Sequence, residues 1–294
     1  MTTAAELVST RTDLATFLAD ARRQGERVAL VPTMGALHDG HASLMRLARE
    51  RVGPAGRVVV TVFVNPLQFG AGEDLERYPR TLDADLAVAG EASADVVFAP
   101  SVEEVYPGGF TEATLAAMTT VEPGDLADIL EGASRPGHFR GVLTVVAKLL
   151  GLVRPDVAVF GEKDYQQLAL IRRMAEDLCL GIEIVGAETR RDADGLALSS
   201  RNRYLSAEER TSALALSRAL RAAQSAAAYG VERARQAALA VVETESGVAL
   251  DYLAVRGADL GDLPAEPPAG AEGRILVAAR VGATRLIDNL PLSF

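Results

Sequence analysis

The chain has 294 residues, a formal net charge of −10 at pH 7 and a hydrophobic share of 49%. That length fits one large or two medium domains. The acidic balance excludes a broad basic surface that would hold nucleic acid by its phosphates, and no uninterrupted apolar run reaches about 18 residues, so we expect neither a nucleic-acid partner nor a membrane span.

The N-terminal segment and the cysteine content bear on location. Residues 1–23 combine acidic side chains with amphipathic spacing, whereas a signal peptide needs a basic flank and an apolar run. The single cysteine, Cys179, cannot form an intramolecular disulfide. We therefore expect a cytoplasmic protein.

Lysine and histidine are scarce in this sequence. Of 30 basic Lys and Arg residues, two are lysines, and there are three histidines. A composition that replaces lysine by arginine makes the remaining ones informative. They are Lys148, Lys163, His38, His41 and His138.

The first part of the chain predicts alternating helices and strands. An amphipathic helix over residues 3–24 leads into a buried strand at 27–31. Further strands are predicted at 57–65, 94–99 and 156–160, and helices at 74–92, 139–153 and 165–180. Continuous apolar strands separated by helices indicate an α/β fold with a Rossmann-like parallel sheet and helices on both faces. Such sheets bind ligands at the carboxyl ends of their strands.

The pattern changes after Gly181. A strand is predicted at 182–189, then two helices, the first opened by an S-x-x-E capping box at Ser206 and Glu209. Residues 250–256 and 274–287 alternate apolar and polar side chains, which predicts antiparallel strands with one solvated face. We expect a smaller C-terminal α+β domain, with domains at 1–180 and 181–294.

The most informative motif is PTMGALHDGH at residues 32–41, where the first buried strand meets a helix. His38 and His41 are three residues apart on the first helical turn and face the same way. With the helix N-terminus they form a candidate phosphate site, and Gly40 permits close approach to the backbone. The alternatives are a junction with two incidental histidines, or a metal pair that lacks a third nearby ligand.

A second motif, GEKDYQQ at residues 161–167, directly follows the strand at 156–160. Lys163 can neutralise a phosphate as a compact charge. Asp164 is either a helix N-cap or an acceptor for ribose hydroxyls. Gln167, one helical turn on, can hydrogen-bond a polar substrate.

A third motif, LSSRNRY at residues 198–204, places Ser199 and Ser200 beside Arg201. Hydroxyls next to a guanidinium are good donors to phosphate oxygens. Serine and asparagine also build ordinary turns, which is the alternative for this segment.

Two further segments contribute polar residues. NPLQF at 65–69 ends the second buried strand, and residues 70–80 after it form either a lid that excludes water or a loop without a role. RPGHF at 135–139 places a cation and the third histidine before a helix, where a purely structural histidine is the alternative.

These motifs together resemble the HIGH-type nucleotidyl-transfer superfamily. The ordered set PTMGALHDGH, FVNPLQF, RYPRT, RPGHF, FGEKDYQQ and LSSRNRYLS, over residues 32–206, is similar to the pantothenate synthetase (pantoate:beta-alanine ligase) family. The resemblance implies ATP-dependent condensation of pantoate with beta-alanine through a pantoyl adenylate, giving pantothenate, AMP and pyrophosphate. It also implies Mg²⁺ with the ATP, and a homodimer.

The resemblance assigns residue roles as well. It implies that ATP is bound and its phosphates stabilised by Met34, His38, His41, Gly161, Lys163, Asp164, Ser199, Ser200 and Arg201, with His38, His41, Lys163 and Arg201 catalytic. It implies pantoate binding by Met34, Asn65, Gln68 and Gln167. Arg135, His138 and Tyr78 lie within the motifs without an assigned role.

The segment at 81–85 departs from the family pattern. Some relatives carry adjacent acids there that are associated with Mg²⁺, and Ala84 breaks that pair. Asp85 is then the candidate protein ligand, with phosphates and water completing the shell.

Three other functions are compatible with parts of the sequence. Another HIGH-type nucleotidylyltransferase would need more basic residues for a phosphorylated second substrate. An aminoacyl-tRNA synthetase would need a basic surface for tRNA. A non-catalytic adenine-nucleotide sensor would bind ATP without turnover.

Overall fold

The computed structural model describes residues 4–70 and 75–294, which form two compact units. The first unit comprises the chain up to Glu162 together with Leu170–Ala187. The second comprises Lys163–Ala169 together with Glu188–Phe294. The division into functional domains near residue 180 stays a prediction.

The first unit is built on a parallel sheet with the strand order β1-β4-β3-β2-β5-β6. Its strands are β1 (Glu6–Val8), β2 (Val28–Thr33), β3 (Arg57–Val62), β4 (Val96–Phe98), β5 (Val157–Gly161) and β6 (Glu183–Ala187). Its helices are α1 (Arg11–Arg23), α2 (Asp39–Val52), α3 (Leu82–Glu91), α4 (Val102–Val105), α5 (Glu112–Ala117), α6 (Glu131–Ser134) and α7 (His138–Val153), followed by α8 (Tyr165–Asp177), whose first residues belong to the second unit.

The central strands are buried on both sides of the sheet. Ala29 and Val31 of β2 pack in one apolar cluster with Met45 and Ala48 of α2. Leu30 points to the opposite face and is also fully buried. Helix α7 contacts β2 as well. The predicted Rossmann-like sheet, covered on both faces, is confirmed.

Strand order determines where a ligand can approach this sheet. From β2 the chain adds β3 and β4 on one side, and later β5 and β6 on the other. The carboxyl ends of β2 and β5 are therefore neighbours at the point where the winding direction reverses. Ligands of open α/β sheets bind outside the strand ends at such a point.

The second unit combines two helices with a three-stranded antiparallel sheet. Its elements are α9 (Ala207–Ala226), α10 (Val231–Glu243), β7 (Val248–Gly257), β8 (Glu272–Val281) and β9 (Thr284–Ser293), with β8 in the centre. The Ser206–Glu209 capping box opens α9 as predicted. The predicted smaller α+β part is confirmed.

Three predicted elements differ from the observed ones near the N-terminus and in the middle of the chain. Residues 6–8 form an edge strand paired with β4, and the helix starts after the Thr10 cap, so the helix predicted at 3–24 was too long. The helix predicted at 74–92 begins at Leu82 because Pro79 restricts the backbone before it. The strand predicted for the second domain at 182–189 is β6, which pairs with β5 in the large sheet.

The strand predicted at 274–287 is a hairpin. β8 and β9 are joined by Gly282 and Ala283, with Gly282 at a φ of 56°. The predicted solvated face is absent from β8, whose residues 275–279 are buried on both sides. One side packs on α9, and on the other Arg274 lies over the Tyr165 ring.

Among the described residues, no helix is both long and apolar enough to cross a membrane.

Candidate active site

The turn that follows β2 has an unusual backbone held by a buried carboxylate. Gly35 and Ala36 both have positive φ, 85° and 51°. Asp85 of α3 is 1% exposed, and its Oδ2 accepts the N–H of Ala36 over 3.1 Å while its Oδ1 accepts that of Leu37 over 2.7 Å. A positive φ at alanine costs free energy, so these two bonds stabilise a strained turn directly before the histidine motif.

The same contacts bear on the predicted metal ligand. Thr81 donates its hydroxyl to Asp85 Oδ1 over 3.2 Å, so both carboxylate oxygens are engaged by protein donors. In the described part of the chain, no three His, Cys, Asp or Glu side chains are grouped to hold a metal ion. Asp85 as a ligand of Mg²⁺ stays a prediction.

His38 and His41 form a capping box at the start of α2. His38 is the N-cap, and its Nδ1 accepts the N–H of Gly40 over 3.1 Å. His41 Nδ1 accepts the N–H of His38 over 3.3 Å. Since each Nδ1 is an acceptor, a neutral ring carries its proton on Nε2. The two Nε2–H groups are therefore donors.

The paired rings concentrate hydrogen-bond donors at the positive end of a helix. Their centroids are 4.1 Å apart and both side chains are half-buried. The backbone N–H groups of His38 and Gly40 at this helix end donate to the two imidazoles. The chemistry suits an anion approached by imidazole N–H groups and the helix dipole.

Gln68 lies beside Met34, which precedes the histidine turn. Its Nε2 is 3.2 Å from the Met34 sulfur, and its Oε1 accepts Asn65 Nδ2 over 3.0 Å. Gln68 sits at the end of a 3-10 turn, Pro66–Gln68, that follows β3. Both Gln68 and Met34 are half-buried. Three residues predicted to contact the acid substrate are thus brought together.

Asn65 itself is fully enclosed. It is 1% exposed, its Oδ1 accepts the Tyr106 hydroxyl over 2.7 Å and the Leu67 N–H over 3.3 Å, and its Nδ2 also donates to the Gly141 carbonyl over 3.2 Å. These contacts are all with protein groups. They favour an indirect role for Asn65 over the direct substrate contact that was predicted.

Arg135 and His138 meet the backbone of Gln68. His138 Nδ1 is 2.9 Å from the Gln68 carbonyl and its Nε2 is 3.0 Å from Arg135 Nη1. Because a carbonyl accepts and a guanidinium donates, His138 carries its proton on Nδ1. This tautomer is opposite to that of His38 and His41. The two residues without an assigned role support the position of Gln68.

The predicted lid at 70–80 is only partly described. Residues 71–74 lie outside the described chain, and the lid stays a prediction. Tyr78 packs edge-on against Phe69, with ring centroids 6.1 Å apart.

Gly161 ends β5, where it pairs with Ala187.

Lys163 belongs to the second unit, where its backbone is anchored. Its carbonyl accepts Asn289 Nδ2 of β9 over 2.9 Å, and Asn289 Oδ1 accepts Arg274 Nη1 over 2.5 Å. Arg274 stacks 3.6 Å above the centre of the Tyr165 ring. The C-terminal sheet thus fixes the segment that carries the predicted catalytic lysine.

The residues next to Lys163 differ in exposure. Asp164 ends a short 3-10 helix, Glu162–Asp164, and is exposed, so it is accessible to a ligand. Gln167 is half-buried on α8. Their predicted roles toward ribose and pantoate stay predictions.

The SSRNR segment is a 3-10 helix, Ser200–Tyr204, capped by Ser199. Ser199 Oγ accepts the Arg201 N–H over 3.2 Å and keeps its own proton to donate. Asn202 Nδ2 donates to the Ala197 carbonyl over 2.9 Å, which ties the segment to a short hairpin at 191–197. Ser199, Ser200 and Arg201 are half-buried.

Sequence reasoning missed Tyr106 and Asn289, and it did not predict the contacts of Asp85 with the turn that follows β2. Tyr106 and Asn289 form hydrogen bonds with residues that are distant in sequence. Tyr106 is 41 residues from Asn65, and Asn289 is 126 residues from Lys163. No motif contains Tyr106 or Asn289. The signal for Asp85 was its place near acids associated with metal, which does not distinguish a ligand from a loop anchor.

Comparison with known proteins decides between the alternatives. The family model described as pantoate-beta-alanine ligase matches residues 6–291. The chain belongs to the pantoate-beta-alanine ligase family. The predicted family is therefore confirmed, and so is the predicted enzyme class: the chain is a ligase that joins pantoate and beta-alanine.

Several relatives in this ligase family are similar over nearly their whole length. The pantothenate synthetase of a Nocardioides species is 67% identical, with 99% of this chain and 86% of that protein covered. The pantothenate synthetase of Streptomyces avermitilis is 52% identical, with 93% and 95% covered.

Solved ligase structures have the same fold. Pantothenate synthetase from Thermus thermophilus superposes with a TM-score of 0.86 at 48% identity, covering 97% of this chain and 98% of that one. The pantoate-beta-alanine ligase from Francisella tularensis, complexed with beta-gamma ATP and beta-alanine, gives a TM-score of 0.77 at 33% identity and covers 98% and 97%.

Proposed function

We propose that this ligase works in two chemical steps at one nucleotide, with pantoyl adenylate between them. The observation that carries the proposal is the histidine capping box: two imidazoles whose Nδ1 atoms accept backbone N–H groups and whose Nε2–H groups are donors. Such donors, fixed before the reaction, stabilise charge that develops on phosphate oxygens.

In the first step a carboxylate oxygen of pantoate attacks the α-phosphorus of ATP. The bond between that phosphorus and the bridging oxygen to the β-phosphate breaks, and pyrophosphate leaves with the electron pair. His38 and His41 donate to phosphate oxygens as this charge grows. Lys163, Ser199, Ser200 and Arg201 supply further donors, and Gly161 and Asp164 hold the ribose.

In the second step the neutral amine of beta-alanine attacks the activated carbonyl carbon. The bond from carbon to the phosphate oxygen breaks, AMP leaves, and the amine loses a proton as the amide forms. No protein nucleophile is required, so the chain contributes position and fixed positive charge. Beta-alanine as the acceptor is supported by the Francisella tularensis ligase, whose structure is a complex with that amine.

Pantoate is proposed to lie against Gln68, Gln167 and Met34. Gln68 Nε2 points toward Met34, whose thioether is a weak acceptor that a substrate oxygen can replace. An uncharged polyol end fits the amide groups of Gln68 and Gln167 better than a phosphorylated one would, because an amide has no charge with which to neutralise a phosphate.

Mg²⁺ is proposed to enter with ATP. The described residues form no cluster that would bind the ion independently, so phosphate oxygens and water would supply most of its ligands. Bound there, the ion would neutralise phosphate charge. His38, His41 and Lys163 act on the same phosphates.

The location and assembly of the enzyme are also proposals. A single cysteine, Cys179, suits a reducing cytoplasm. The family resemblance suggests a homodimer. Light scattering on the purified chain and fractionation of the source cells test these two points.

The decisive experiment is mass spectrometry of the enzyme with Mg-ATP and pantoate but no amine. We expect pantoyl adenylate and one pyrophosphate for each adenylate formed. If the enzyme forms adenylates with other small acids but not with pantoate, the proposed adenylation would be supported and pantoate would be wrong as the substrate. ATP binding without any pyrophosphate release would indicate a nucleotide sensor instead.

A further inference from the structure

The amide of Asn65 has a single orientation compatible with its neighbours. Its oxygen faces two donors, the Tyr106 hydroxyl and the Leu67 N–H. Its NH₂ group faces two acceptors, the Gly141 carbonyl and Gln68 Oε1. Turning the amide over would set the oxygen against a carbonyl and the NH₂ group against an N–H, and buried mismatches of this kind are costly.

The orientation of Asn65 fixes that of Gln68. Because Asn65 Nδ2 donates to Gln68 Oε1, the Gln68 amide must turn its NH₂ group to the other side, where Nε2 lies 3.2 Å from the Met34 sulfur. Gln68 therefore presents a donor beside Met34. A substrate atom that meets it there must be an acceptor, such as a carboxylate or hydroxyl oxygen.

Tyr106 stands at the start of this chain of hydrogen bonds. It is 1% exposed, and burial raises the pKa of its hydroxyl, which keeps the group protonated as a donor. Lys148 Nζ lies 5.1 Å from the centre of the Tyr106 ring, within the range of a cation–π contact. This places one of the two lysines behind the ring.

Close packing holds the acceptors in place. A Cβ added to Gly141 would lie 2.4 Å from the Leu67 carbonyl oxygen and 2.7 Å from Gln68 Cα. Glycine at this position of α7 lets the helix backbone touch the turn that carries Gln68. The Gly141 carbonyl can then receive Asn65 Nδ2 directly.

We infer that Tyr106 is a positioning residue for acid-substrate binding: through Asn65 it orients the Gln68 amide so that Nε2 donates to an oxygen of the acid. This inference rests on the proposed binding of pantoate at Gln68. Tyr106 does not touch the substrate, and its effect is transmitted entirely through Asn65.

The test is a double-mutant cycle with Tyr106→Phe and Asn65→Ala, measured by pyrophosphate release at varied pantoate and at varied ATP. We expect Tyr106→Phe to raise the KM for pantoate by about 3- to 10-fold, the effect of one hydrogen bond, with the KM for ATP changed by less than about 2-fold. In the Asn65→Ala background the same substitution should have no further effect on the KM for pantoate.

A matched control is Tyr229→Phe, which removes the hydroxyl of a tyrosine that is 79% exposed, and it should leave both constants unchanged. Circular dichroism and thermal melting check that every variant is folded. If Tyr106→Phe folds but its activity is too low for a KM to be measured, the dissociation constant of pantoate is measured by equilibrium binding instead.

Two results would overturn the inference. One is an unchanged KM for pantoate in folded Tyr106→Phe. The other is an equal effect of Tyr106→Phe with and without Asn65, which would show that Tyr106 acts by another route. Failure of the proposed function can be distinguished from failure of this inference, because in that case the wild-type enzyme would form no pantoyl adenylate at all.

Discussion

The Nδ1 atom of His41 accepts the backbone N–H of His38 over 3.3 Å, so the second histidine of the motif caps the first. Each histidine thereby has two functions: its Nδ1 atom caps the N-terminus of α2, and its Nε2–H group is a hydrogen-bond donor. The two functions can be separated by mutation.

His38→Ser should separate them at the first position. Serine is a good N-cap, so we expect the melting temperature to stay close to that of wild type, whereas His38→Ala should lose about 1 kcal/mol of stability. Both variants lose the imidazole donor, and kcat should fall by about 10²-fold in each. Comparable turnover in His38→Ser and wild type would contradict the role in charge stabilisation.

His41→Ala tests the partner ring. We expect kcat for pantoyl adenylate formation to fall by about 10²-fold or more, the effect of removing one transition-state donor. Single-turnover pyrophosphate release measures this step directly. His138→Ala is a useful comparison, because this ring carries its proton on the other nitrogen and contacts a backbone carbonyl. It should affect pantoate binding more than kcat.

Asp85→Asn distinguishes a loop anchor from a metal ligand. The new amide NH₂ group faces the N–H of Ala36 or Leu37, which should cost about 1–3 kcal/mol of stability and lower kcat as the histidine turn relaxes. The Mg²⁺ concentration for half-maximal rate should not change. A large increase in that concentration would instead support Asp85 as a ligand. Asp83→Asn, at an exposed position of the same helix, is the control.

Lys163→Ala should lower kcat by about 10²-fold, because a fixed positive charge is lost from the phosphate site. Stability should change little, since the Asn289 contact uses the Lys163 carbonyl and not its side chain. Arg235→Ala removes an exposed cation of α10 paired with Glu232 and controls for net charge. Equal rates in the two variants would remove Lys163 from the mechanism.

Asn289→Asp isolates the anchor of Lys163. Aspartate keeps an acceptor for Arg274 but cannot donate to the Lys163 carbonyl, so we expect kcat to fall by about 5-fold, as for one lost hydrogen bond. Gln224→Ala is the matched control, because its amide donates to the Pro291 carbonyl of the same strand without touching Lys163. A similar loss in both would indicate a general effect on the sheet.

How far the sequence alone predicted this enzyme depends on the separation of the contacting residues. The histidine pair could be placed because strand, turn and helix are consecutive, and the periodicity of each is visible. The anchor from Asp85 to Ala36 spans 49 residues, and no pattern indicates it. Likewise, β8 was expected to be half solvated, because the sequence does not reveal that Arg274 stacks on Tyr165, which lies far earlier in the chain.

The bond between Asn289 and Lys163 has a consequence for biosynthesis. Its two partners are 126 residues apart, and Asn289 lies in β9, the last of the described strands. A ribosome makes the lysine segment long before it makes the anchor of that segment in β9. A nascent or prematurely terminated chain that ends before β9 would have a complete parallel sheet but an unsecured Lys163. We expect nucleotide chemistry to be slower until β9 has folded and Asn289 holds the lysine segment.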